Sequence, residues 1–136
     1  MTLTAATLPT LGLVNLKTPG FPAHGSAPSG ATVKLQFGAL SVKAGENFQL
    51  ELRKGGVDLT KRKGEIAANK VNQLQKYIVE SPDSILYESQ VMGLEYHVLS
   101  NVKVGSKTYS CEDAKGPLYT QRDAETMLKA CQSLAD

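Results

Sequence analysis

The chain has 136 residues with a hydrophobic fraction of 41%, enough for one domain with a modest core and too apolar for wholesale disorder. The net charge of +2 argues neither for nor against nucleic acid, but it is unevenly placed. Residues 1–79 carry ten Lys and Arg against four Asp and Glu (+6), and residues 80–136 carry five against nine (−4), a split that suits a solvated basic helix face or a partner of opposite charge.

No apolar run approaches the ~20 residues of a membrane span. The opening "MTLTAATLPTLGLVNLKTPG" has no basic n-region, and Thr and Pro break its apolar run, so it makes a poor signal peptide. The expected setting is the cytoplasm or a larger particle. An exported chain whose leader had been removed would read the same way. Residues 1–30 include "TPGFPAHGSAPSG", in which Pro, Gly, Ser and Ala leave neither a helical nor a strand period. Such a segment cannot offset its own ordering entropy, and it reads as an extended arm or linker before a single domain at 31–136.

Val33, Leu35 and Phe37 alternate, as do Phe48, Leu50 and Leu52, which predicts two strands with one buried face each, forming a hairpin or pairing with each other. Gly38 and "AGEN" supply the turns and Gly55-Gly56 the end. From about Thr60 the period becomes helical. Ala67, Val71, Leu74 and Ile78 form one stripe, and Arg62, Glu65, Asn69, Asn72 and Lys76 the polar one. Gly64 weakens the first turns, and Ser81-Pro82 stops the helix. Three strands follow, "SILYESQV", "LEYHVLSNVKV" and "KTYSCED", the last two joined by Gly105-Ser106 as a tight hairpin. Thr120 and Asp123 open a final helix as a capping box, with Ala124, Met127, Leu128, Cys131 and Leu134 as its apolar stripe. The expected fold is α+β, an antiparallel sheet packed against two helices in the order ββαβββα, with an extended N-terminal arm.

Cys111 and Cys131 both fall on inward faces. Two buried thiols or a disulfide fit that placement, and the lack of a leader favours free thiols. A metal site wants more Cys or His at short spacing, and no metal or cofactor is expected. Glu95 and His97, spaced i, i+2, fall on one strand face and could act as a general base, though exposed cross-strand polar pairs are commoner. Glu112 and Asp113 are adjacent and should point to opposite faces. No GxSxG, HExxH, Walker-A or GxGxxG stretch occurs, so neither a catalytic residue nor a small-molecule substrate is inferred. Arg53, Lys54, Lys61, Arg62 and Lys63 cluster around the first helix start and could hold phosphates. No aromatic residues are interleaved for base stacking.

The helix, three strands and helix over residues 66–135 resemble the double-stranded-RNA-binding domain. "GLEYHVLSNVKVGSKTYSCED" looks like its strand pair, and "TQRDAETMLKACQSL" resembles its second helix. The resemblance implies duplex binding through phosphates and successive minor grooves. Asn69, Asn72, Gln73 and Lys76 would take the first-helix role and His97 the loop role. The phosphate lysines fall on Gln121 and Arg122, of which only Arg122 keeps the charge. The leading functional expectation is a non-enzymatic interaction or assembly subunit, using the arm and basic first helix on a protein partner or on itself. The alternatives are an RNA-binding module through Arg53, Lys54, Lys61, Arg62, Asn69, Asn72, Gln73, Lys76, His97 and Arg122, and a secreted or periplasmic domain stapled by Cys111–Cys131.

Overall fold

The computed structural model describes residues 11–16, 18–115 and 118–136. Among them the strands are β1 Leu11–Asn15, β2 His24–Pro28, β3 Thr32–Gln36, β4 Ala39–Lys43, β5 Gln49–Lys54, β6 Gln73–Glu80, β7 Ser84–Gln90, β8 Leu94–Val104 and β9 Lys107–Asp113. Helix α1, Leu59–Ala68, lies between β5 and β6, and α2, Gln121–Gln132, follows β9. Strands and helices are mixed, but the order βββββαββββα replaces the expected ββαβββα. The chain is mostly β rather than one sheet balanced by two long helices. β1 and β2 form a two-stranded sheet, and the rest form a seven-stranded antiparallel sheet ordered β3-β4-β5-β9-β8-β7-β6. Helix α1 therefore connects two meanders, which meet where β5 pairs with β9 from Leu50↔Asp113 to Lys54↔Tyr109.

The first correction concerns the predicted helix beyond Thr60, which is half strand. Asn69 caps α1, and its Oδ1 accepts the backbone N–H of both Val71 and Asn72 at 2.9 Å. This side-chain turn offers the backbone a route out of the helix. The following "QLQKYIVE" is rich in residues that favour a pleated surface. Its pairing with β7 slips between Leu74 and Lys76 and again between Tyr77 and Val79. Each bulge adds a residue, so inward positions fall three apart instead of two and imitate a helical stripe.

The second correction concerns the arm: residues 1–10 and 17 lie outside the described residues, and the described part contains a hairpin rather than an extended linker. β1 pairs with β2 from Leu11↔Pro28 to Asn15↔His24. Leu16, Pro22 and Ala27 are buried. The residues after α2 hold the hairpin down. His24 and Ala135 exchange backbone hydrogen bonds at 2.8 and 2.9 Å, and the Ser26 N–H donates to Ser133 Oγ at 2.8 Å. A Cβ on Gly25 would sit 3.0 Å from Leu134 Cδ2. The small residues that read as a linker are there because the hairpin lies close against the C-terminal segment.

Neighbouring residues on a strand point to opposite faces, and the two cores separate accordingly. Leu86, Val98 and Cys111 pack with Met127, Leu128 and Cys131 of α2 and with Leu16 and Ala27 of the N-terminal hairpin. Ile85 and Leu99 pack on the other face with Leu59 and Ile66 of α1. Helix α2 carries the expected capping box, Thr120 Oγ1 accepting the Asp123 N–H and Asp123 Oδ2 accepting the Thr120 N–H.

Cys111 and Cys131 are fully buried, and they are joined in a disulfide with Cα atoms 5.8 Å apart. The expectation of free thiols is corrected here, because β9 and the last turn of α2 bring the two side chains together across the core. The bond closes a loop of sequence separation 20, worth on the order of 3 kcal/mol through restriction of the unfolded chain. Reduction should lower the unfolding free energy of the full chain, read from denaturant titration, by an amount of that order. Thiol counting in denaturant without reductant should find no reactive thiol, and two would contradict the crosslink.

Candidate functional site

The α1 face of the sheet is only partly covered. Beside α1 lies an open cleft of about 590 Å³, lined by Arg62, Glu65, Ile66, Asn69 and Asn72 on one side and by Tyr87, Glu95, His97, Glu112, Asp113 and Lys115 on the floor and far wall. Four of these are carboxylates, against Arg62, Lys115 and the His97 ring.

His97 lies in the first half of β8, cross-strand from Tyr87 on β7, and the two rings lie 5.3 Å apart. Its Nδ1 is 2.8 Å from Asp113 Oδ2, and its Nε2 is 3.1 Å from Glu95 Oε1. A neutral imidazole has one N–H and could donate to only one of these carboxylates, leaving a lone pair facing the other. Only the imidazolium satisfies both. Burial, the largest single influence, lowers the His97 pKa, but the hydrogen bond and charge of Asp113, with those of Glu95, together outweigh it and raise the pKa. Tyr87 is held protonated, chiefly by burial and then by the charge of Asp113.

Asp113 was missed by the expectation that Glu112 and Asp113 point apart. It is the last residue of β9, where the pleat no longer fixes side-chain direction. Its Oδ1 accepts the Val98 N–H at 2.8 Å while Oδ2 reaches His97. Glu112 is part of the same cleft through Arg62 Nη1 at 3.0 Å. The i, i+2 spacing of Glu95 and His97 correctly pointed to a shared face. The strand-end aspartate opposite the histidine was the other available signal.

The residues expected to contact a partner converge only in part. Arg62, Asn69, Asn72 and His97 line the cleft. Arg53 pairs with Glu51 at 3.0 Å and Glu112 at 3.5 Å. Lys54 sits over the Phe21 ring at 5.4 Å, and Lys63 pairs with Glu80 at 2.8 Å. Lys61 is exposed on α1, Gln73 and Lys76 are exposed on β6, and Arg122 stands in the first turn of α2, the helix on the opposite face of the sheet. Asn69, Asn72, Gln73 and Lys76, assigned together to a first helix, instead lie at a helix end, in a turn and on a strand. Among the described residues no group of three or more His, Cys, Asp or Glu is placed to hold a metal, and no helix is long and apolar enough to cross a membrane. Comparison with protein-family models, curated proteins and solved structures found no match.

The bridged imidazolium has a definite pH signature. Its folded pKa is raised above 6.5. Its contribution to stability is therefore complete below that value and is lost as pH rises through the folded pKa. NMR titration of the ring in the full chain should give a midpoint above 6.5, and Asp113→Asn should lower it. An unshifted midpoint would discard the bridge.

Proposed function

We propose that this chain is a non-enzymatic assembly subunit. The observation that carries this reading is the exposure of large apolar side chains at both ends of the main sheet. Phe37, in the β3–β4 turn, is 99% exposed, and Met92, in the β7–β8 turn, is 101% exposed. Val71, Leu94 and Leu118 are also exposed, at the same end of the sheet as Met92: Gln73 pairs with Gln90, which pairs with Leu94, and the Tyr96 N–H donates to the Tyr119 carbonyl at 3.3 Å. Apolar groups gathered at turns, where polar residues cost nothing, suit contact with another protein surface.

The contact surfaces differ from those first expected. Residues 11–15 and 24–28 are used in the chain's own fold, and the cations Arg62 and Lys63 of α1 face its own carboxylates. The cleft supports binding better than catalysis, since His97 has both ring nitrogens engaged and offers no free lone pair to a substrate. The crosslink between Cys111 and Cys131 favours an oxidising compartment, so an exported setting joins this reading as its second element.

Sedimentation velocity of the full chain over rising concentration tests the proposal. The expected outcome is a reversible increase above the 14.6 kDa monomer. A mass that stays monomeric into the millimolar range would remove the assembly reading.

A further inference from the structure

The main sheet has two outer strands, β3 and β6, and they are not alike. Each exposes a lysine, Lys34 on β3 and Lys76 on β6, but β6 also carries two register shifts, a device that keeps a sheet edge from pairing with another chain. β3 has neither a bulge nor a proline. It runs in unbroken register with β4 from Thr32↔Lys43 to Gln36↔Ala39, and among the described residues nothing pairs with its outer edge.

The backbone groups available on that edge follow from the turn. Phe37 and Gly38 form a two-residue loop, both with positive φ (52° and 78°). In such a hairpin the flanking residues, Gln36 and Ala39, exchange both hydrogen bonds, and the bonded pairs alternate from there. Lys34 and Thr32 thus turn their N–H and C=O groups toward β4, while Val33 and Leu35 turn theirs outward. The side chains of Val33 and Leu35 share the face of Val42 and Leu40, their cross-strand partners, and Leu35 is 56% exposed.

Phe37 supplies a second observation. The left-handed region suits Gly and Asn and is costly for a bulky side chain. Here it is occupied by a phenylalanine that is 99% exposed, so packing within the described fold gives little return for the strain. Strain held without an internal reason points to a use outside the molecule.

We propose that β3 pairs antiparallel with β3 of a second copy about a two-fold axis at Leu35, joining two seven-stranded sheets into one; this rests on the assembly reading above. The register is self-complementary. Leu35 faces Leu35 through its outward N–H and C=O, Phe37 meets Val33 of the second copy, and Lys34 stands opposite Gln36, so no like charges are opposed. A pairing centred on Lys34 would set two lysines against each other and is disfavoured.

Amide hydrogen exchange of the full chain, dilute and concentrated, is the test, read at Val33 and Leu35 beside the mass from sedimentation. Expected are fast exchange when dilute and protection that grows with the associated mass. Phe37→Asn should raise the Tm of the dilute chain, since Asn-Gly suits this turn, while weakening association. Leu35→Pro removes an outward donor without breaking a β3–β4 bond and should weaken association by about tenfold or more. Mass that rises with no change in exchange at β3 would overturn the edge pairing and leave the assembly reading standing. Full protection in the dilute monomer would overturn it in favour of a segment of the same chain on that edge. A chain that never associates removes both.

Discussion

A seven-stranded sheet has two faces to take out of water, and among the described residues only two helices and a hairpin are there to cover them. Most other features follow from that shortage. One face receives α2 and the N-terminal hairpin together and becomes the larger core, closed by the disulfide between β9 and α2. The other receives only α1, ten residues long, which reaches across part of its width. Where α1 stops, the sheet face must be compatible with water, and the sequence supplies Arg53, Glu112, Glu95 and His97 there. The polar cleft is the uncovered remainder of a face that one short helix cannot span.

The cleft is electrostatically self-contained. Arg62 and Arg53 converge on Glu112, and His97 is clasped by Asp113 and Glu95. Partly exposed pairs of this kind contribute little each to stability, but they fix side-chain directions. Asp113 has the widest influence, because one carboxylate receives a backbone N–H from β8 and a ring nitrogen from the same strand. It finishes the β8–β9 ladder with a side chain where backbone pairing runs out.

The sequence disclosed the parts of the fold in which local period and tertiary role agree. The strand at Leu50–Leu52, the β8–β9 hairpin and the capped α2 all carry their period undisturbed. The Val33, Leu35, Phe37 alternation does not mark a buried face, since Phe37 lies exposed in a turn and Leu35 is half exposed, and β4 stands between the two strands expected to pair. The sequence misled where tertiary structure alters the period or overrides composition. The bulge in β6 between Leu74 and Lys76 sets Leu74 and Tyr77, which pack against the same core, three residues apart as a helix would. In β2 the run of Gly25, Ser26 and Ala27 signals flexibility by composition, whereas its meaning is steric and appears only when Leu134 and Ser133 are placed against it. Half of the cleft was legible by the same logic: Glu95 and His97 share a strand, so spacing alone relates them. Asp113 and Arg62 come from elements 16 and 35 residues from His97 in opposite directions, a proximity that no local pattern encodes.

The bonds between His24 and Ala135, and between Ser26 and Ser133, also bear on how the chain is made. A ribosome releases β1 and β2 before any other described element, yet their docking partners follow α2 at the far end of the sequence. β5 likewise waits for β9. The first meander and the hairpin must therefore remain undocked until β9, α2 and the residues after it have emerged, and closure of the main core is a long-range event of the kind that folds slowly. Throughout that interval Leu16, Leu50 and Leu52, all buried in the finished molecule, stand exposed on a nascent chain. A holding factor that shields apolar strands during synthesis would matter more to this protein than to one whose neighbours in sequence are also its neighbours in space.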